Sequence, residues 1–233
     1  MTTQAEFNPP FRIRVCRWLL LASACVASGP YVPLRADTVL ETETAELGKK
    51  GEITISNSVQ FERERDGSRA AFTLTQFEYA ISDRAELLIE PFFQEWVRPK
   101  GAKSFHGLGD LEITPSYLLV LDDMKTWTPA VVLAYKIKVP TAHNLDIGTR
   151  RTDHYPYLIL GKEVGQWIFN ANFGYDIIGR GSDDHNTRSQ WIYDFSIERM
   201  ISVRWSVFGE IFGNSSPSVG ERRTFSEAIA TEY

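Results

Sequence analysis

The chain of 233 residues lacks several features on which other protein classes depend. Its only cysteines are Cys16 and Cys25, close to the start, so the rest of the chain can form neither a disulfide framework nor a thiolate metal site. No apolar run approaches the roughly 20 residues that a transmembrane helix needs, and the mean hydropathy is −0.23. No stretch shows a convincing 3.6-residue apolar period. These absences leave β-structure as the basis of the fold.

The most concentrated apolar run, WLLLASACVAS at residues 18–28, follows three arginines of a basic start. This order, with small Ala36 at a cleavage point, predicts a secretory signal over residues 1–36. A buried core helix is the alternative, but Gly29 and Pro30 follow the run at once. Lipid attachment at Cys25 is disfavoured because Ala22 stands where leucine is expected.

Basic residues are scarce in the remaining chain. Without residues 1–36, 21 Lys and Arg stand against 29 Asp and Glu, a net charge of −8. Binding to phosphate backbones requires clustered basic residues. Nucleic acid is therefore excluded as a partner.

From residue 51 onward the sequence alternates between apolar and polar residues. In WTPAVVLAYKIKVP, residues 127–140, every second residue from Trp127 to Val139 is apolar, and the other face is small and ends in Lys136 and Lys138. A soluble strand with one buried face would also alternate. Most segments, however, reach ten residues, longer than the usual soluble strand and close to the nine to eleven that cross a bilayer. The candidate strands are 51–63, 71–81, 85–97, 108–121, 127–139, 153–162, 167–178, 190–200, 203–213 and 223–233.

The connections between these strands are alternately long and short, as in barrels with short periplasmic turns and longer outer loops. We therefore predict an antiparallel transmembrane β-barrel of about ten strands, in the outer membrane of a Gram-negative cell. The bilayer is the expected partner, because in hydrocarbon a sheet must close to pair its backbone. The domains are the signal (1–36), an N-terminal periplasmic segment (37–50) and the barrel (51–233).

Strand parity divides the side chains into two groups. Tryptophans near strand ends predict an aromatic girdle at the membrane interfaces: Trp96, Trp127, Trp167, Trp191 and Trp205. Charged residues on the opposite parity are predicted to line the lumen: Glu90, Glu112, Lys136, Lys138, Asp176, Asp194, Glu198 and Glu210. Such charges either pair structurally or line a polar path. Ten strands enclose less space than a 16-strand porin, so a narrow conduit is expected.

Three stretches resemble the outer-membrane family labelled "MetA-pathway of phenol degradation". They are GLGDLEITPSYLLV (107–120), WTPAVVLAYKIKVPTA (127–142) and IGTRRTDHYPYLILGKEVGQWIFNANFGYDIIG (147–179), and EYAISDRAELLIEP (78–91) is similar to an early hairpin of the family. The resemblance implies a barrel usually of about 12 strands, so this chain would be incomplete at its C-terminal end. It also implies a link to aromatic compounds and names no catalytic residue.

No motif for catalysis, nucleotide or cofactor binding occurs, and no metal site is predicted. The loop holding His143, Asp146, Asp153 and His154 matches no metal spacing. The sequence thus predicts a non-enzymatic, transporter-like barrel for small molecules, with aromatic or hydrophobic solutes as candidates. A structural or adhesive barrel that binds partners through loops 98–107, 140–152 and 179–189 is the alternative. A membrane-embedded hydrolase is the second alternative, and the oligomeric state is left open.

Overall fold

The computed structural model describes residues 42–63, 67–144, 147–148, 150–179, 188–202, 205–215 and 224–232. The predicted signal, residues 1–36, lies outside these residues. The described chain is all-β. The strands are β1 (Ile53–Arg63), β2 (Arg69–Ser82), β3 (Ala85–Arg98), β4 (Phe105–Leu108), β5 (Leu111–Val120), β6 (Ala130–Val139), β7 (Asp153–Val164), β8 (Trp167–Asp176), β9 (Gln190–Met200), β10 (Ser206–Asn214) and β11 (Thr224–Glu232).

These strands form one antiparallel sheet in which neighbours in sequence are also neighbours in space. The order is β1-β2-β3-β5-β6-β7-β8-β9-β10-β11, and the short β4 pairs with β3 alone. Ten strands therefore form a curled sheet, a half-barrel, which confirms the predicted fold class. The sequence placed residues 105–107 in a loop and missed β4, because four residues are too few to establish an alternating pattern.

The curled sheet has a convex and a concave face, and the two-residue period of the strands sorts side chains between them. In β6, Val132 is 0% exposed on the concave face, whereas its neighbour Leu133 is 49% exposed on the convex face. The same contrast recurs in β8, where Asn172 is buried and Phe173 is exposed. Large apolar side chains are thus outside, and small or polar ones are inside.

Residues 42–50, here called the inner strap, cross the concave face of the sheet. At one end, the backbone N–H and hydroxyl of Thr42 both donate to Glu210 of β10, at 2.5 and 2.6 Å. At the other end, the N–H of Gly48 donates to Glu86 of β3, at 2.8 Å. The strap belongs to the segment that the sequence assigned to the periplasm (37–50), and its described part lies against the sheet.

The apolar core lies where the inner strap meets the sheet. Ala45 packs there among buried side chains of the three strands β5, β6 and β7, which are Leu118, Ala130, Val132, Ala134, Tyr157 and Ile159. Gly161 permits this approach, because a Cβ at that position would lie 2.5 Å from the Cβ of Ala45. Close packing of small residues therefore holds the strap on the sheet.

The connection between β5 and β6 is fixed by ionic and hydrogen bonds. Lys162 of β7 forms an ion pair with Asp122. The backbone N–H of Lys125 and the hydroxyl of Thr126 donate to the Asp123 carboxylate, and these bonds lower the pKa of Asp123.

Within the described residues, no helix has the length and apolar character needed to span a membrane.

Candidate functional site

The concave face carries a charged cluster centred on Lys136 of β6. Its ammonium lies 3.4 Å from a carboxylate oxygen of Glu90, 3.2 Å from one of Glu112 and 4.0 Å from one of Glu43. Glu90 and Glu112 are directly opposite each other in the β3–β5 ladder, so their like charges need a shared cation. Gln76 donates a further hydrogen bond to Glu90, at 3.1 Å. The lysine thus neutralises part of a group of three carboxylates.

A second cluster lies toward the start of β7. The β6–β7 register sets Lys138 opposite Asp153, and the two side chains form an ion pair. Asp153 also accepts a hydrogen bond from the N–H of Gly179, at 2.8 Å. Next to it in the sheet, Asp176 accepts a bond from the amide of Gln190, at 3.2 Å. Both predicted lumen lysines are therefore paired with carboxylates.

The remaining predicted lumen residues lie on β9 and β10. Glu210 is buried and holds the inner strap through Thr42. Asp194 and Glu198 are half-buried, and the ladder pairs them with Phe212 and Phe208. All eight residues predicted to line the lumen thus belong to one sheet, and the structure brings Glu90, Glu112 and Lys136 into contact.

The five predicted girdle tryptophans are all exposed. Trp167 begins β8, and Arg199 lies over its ring with 5.1 Å between guanidinium carbon and ring centroid. Trp191 stacks on Phe173 with ring centroids 5.0 Å apart. Trp127 and Trp205 precede β6 and β10, and Trp96 lies near the end of β3. These positions form an aromatic rim around the apolar convex face.

A small, partly open cavity that the sequence did not predict lies between the inner strap and the sheet. The cavity is about 30 Å³ in volume. Its lining contains four glutamates, Glu43 and Glu46 from the strap and Glu78 and Glu86 from the sheet. Thr114 of β5 also lines it. No sequence signal identifies this site, because it depends on how a segment before β1 folds back over the sheet.

The histidine-containing loop forms no metal site among its described residues. The ring nitrogen Nδ1 of His154 lies 2.9 Å from the hydroxyl of Tyr135, on the half-barrel wall. His143 is exposed, and Asp146 lies outside the described residues. Across the described part of the chain, no group of three or more His, Cys, Asp or Glu side chains could hold a metal ion.

Comparison with protein families gives one match. The family model described as "Putative MetA-pathway of phenol degradation" matches residues 44–223, which include most of the inner strap and all strands from β1 to β10. The chain belongs to this family. The resemblance carried by residues 107–120, 127–142 and 147–179 is thereby confirmed. No curated protein matches the chain.

Proposed function

We propose that the protein is a non-enzymatic outer-membrane barrel that is exported by a cleaved signal. The barrel forms a narrow channel or a binding site for small molecules. The observation that carries the proposal is the contrast between the two faces of one sheet. The convex face exposes large apolar side chains such as Leu133, Phe173 and Phe195, which suit contact with acyl chains. The concave face instead carries the paired charges around Lys136 and Lys138, which suit a polar lumen.

The proposed class of solute rests on the family and on the small space that the inner strap leaves on the concave face. The family description refers to phenol degradation, which supports small aromatic or hydrophobic molecules as cargo. The inner strap occupies part of the concave face and leaves a cavity of only about 30 Å³ beneath it. A pathway of this kind would pass small solutes slowly, and the strap would limit the rate.

The test compares the refolded chain with a variant in which a flexible Gly/Ser sequence of equal length replaces residues 42–50. We expect a small conductance in planar bilayers and slow phenol-driven swelling of liposomes from the unaltered chain. Both should increase in the variant, because the bonds to Glu86 and Glu210 and the packing of Ala45 are lost.

The control is an equal Gly/Ser replacement of the exposed loop 100–104, which should leave both rates unchanged. Heat-modifiable migration on a gel verifies that each variant is folded. If none of the three folded proteins conducts ions or lets liposomes swell, the conduit is rejected. The structural or adhesive alternative then takes its place.

A further inference from the structure

The convex face carries a positive charge at one end of an otherwise apolar row. On β9, the convex side chains of Trp191, Tyr193 and Phe195 are exposed, and the exposed Arg199 continues the same row near the end of the strand. We propose that Arg199, together with Trp167, binds the phosphate group of an anionic phospholipid. The inference rests on the proposed function, because it requires that the convex face contacts lipid.

The first support is the position of this arginine at the aromatic rim. The β8–β9 register sets Arg199 directly opposite Trp167, the first residue of β8. Both lie at the end of the sheet where short connections join the strands, such as residues 83–84 and 165–166. Short connections are typical of the periplasmic side of a barrel. The arginine is therefore expected at the level of the lipid headgroups, where aromatic side chains are enriched.

The second support is the way in which the guanidinium group is held. Its central carbon lies over the Trp167 ring, 5.1 Å from the ring centroid. The attraction comes from the face of the ring, which offers no oxygen atom to the N–H donors of the guanidinium. The planar fork of these donors matches two oxygen atoms of a phosphate. The ring thus positions the arginine and leaves its hydrogen-bonding capacity for an anion.

The third support is the lack of a carboxylate partner among the side chains that the structure describes. Lys136, Lys138 and Lys162 each form an ion pair with a glutamate or an aspartate. Arg199 forms no ion pair with a described side chain, and the residue opposite it on β10 is the apolar Val207. A charged side chain at the edge of hydrocarbon is costly without a counter-charge. A lipid phosphate supplies that counter-charge.

The charge of the headgroup decides between two classes of phospholipid. The phosphate of phosphatidylcholine is offset by the choline cation of the same headgroup, whereas phosphatidylglycerol keeps a net negative charge. One arginine near an anionic membrane surface corresponds to about a fivefold preference. The row of apolar side chains next to Arg199, which includes Phe195 and Ile197, suits the acyl chains of the same lipid molecule.

The test measures lipid binding by native mass spectrometry. The full refolded chain is released from a non-ionic detergent that contains equal amounts of phosphatidylglycerol and phosphatidylcholine. We expect bound phosphatidylglycerol to exceed bound phosphatidylcholine about fivefold. Arg199→Gln should bring this ratio close to one, because it removes the positive charge. Arg199→Lys should keep only part of the preference, because an ammonium group lacks the planar fork that binds two phosphate oxygens.

Two further variants separate the site from general surface charge. Arg84→Gln makes the same charge change at an exposed position in the β2–β3 connection, at the same end of the sheet, and should leave the ratio unchanged. Trp167→Leu removes the ring, and we expect about a twofold or larger loss of the preference. Excess inorganic phosphate should not displace the lipid, because it has no acyl chains. Heat-modifiable migration on a gel verifies that each variant is folded.

The outcomes distinguish this inference from the proposed function. The lipid site is overturned if the unaltered chain shows no preference for phosphatidylglycerol, or if Arg199→Gln and Arg84→Gln change the ratio equally. Displacement of the lipid by inorganic phosphate also overturns it, while conductance in planar bilayers can still support the conduit. A refolded chain that is monodisperse in buffer without detergent and binds neither lipid rejects both proposals.

Discussion

The convex and concave faces of the half-barrel are built by the same strands but differ in the size, polarity and exposure of their side chains. On β6, the convex side chains of Leu133 and Tyr135 are large and exposed, whereas Val132 and Ala134 on the concave face are small and buried. Farther along the concave face, Lys136 meets carboxylates. A water-soluble sheet puts its largest apolar residues in the core and its charges outside. The reversed arrangement is the reason for our proposal that the convex face contacts lipid.

A charge at the middle of the convex face should have the largest effect on stability. Leu133→Arg should lower the free energy of unfolding in phospholipid vesicles by about 3 kcal/mol, because arginine near the bilayer midplane is poorly solvated. Trp127→Arg, at the rim before β6, should cost less than about 1 kcal/mol. Urea titration measures the difference between the two variants. Unfolding of Leu133→Arg is followed by tryptophan fluorescence, and unfolding of both variants is followed by gel mobility. Equal and negligible costs would show that the convex face does not contact lipid.

The strands and their two faces could be predicted because each strand carries its own signal. The period of two in β8 is visible in ten consecutive residues, and the predicted segment 167–178 contains the observed Trp167–Asp176. The same parity selected the eight charged residues that the sequence predicts to line the lumen, and their lumen role stays a prediction. A nearest-neighbour antiparallel order also follows, because strands that are consecutive in sequence usually lie side by side in a sheet. Local pattern is sufficient for this part of the fold.

The inner strap and its cavity could not be predicted, because their signal is not local. The contact between Ala45 and Gly161 joins residues far apart in sequence, and neither residue type reports its partner. The ion pairs of Lys136 likewise depend on which strands become neighbours and in what register. The length of the strands does not determine how strongly the sheet curls. The half-barrel, in which the described β1 and β11 do not pair, is visible only in three dimensions.

The concave face can be tested by removing its central cation. Lys136→Met should lower the free energy of unfolding by about 2 kcal/mol, because it leaves the buried Glu90 beside Glu112 without a counter-charge. The value is below that of a fully buried pair because Lys136 and Glu112 retain some solvent contact. Adding Glu90→Gln to Lys136→Met should recover most of the loss. If the double variant is no more stable than the single one, the carboxylates near Lys136 are not what it stabilises.

The contact between the inner strap and the concave face can be tested by adding a single methyl group at Gly161, and this change should have the smallest effect. Gly161→Ala places a Cβ 2.5 Å from that of Ala45, so the inner strap must shift, at a cost of about 1 kcal/mol. Ala45→Gly in the same chain makes room for the new methyl group and should reverse the loss. A double-mutant cycle of unfolding free energies, measured in vesicles, isolates this contact. Additive changes in unfolding free energy would mean that the strap does not lie over β7. Conductance of the same variants would then be independent of the position of the strap.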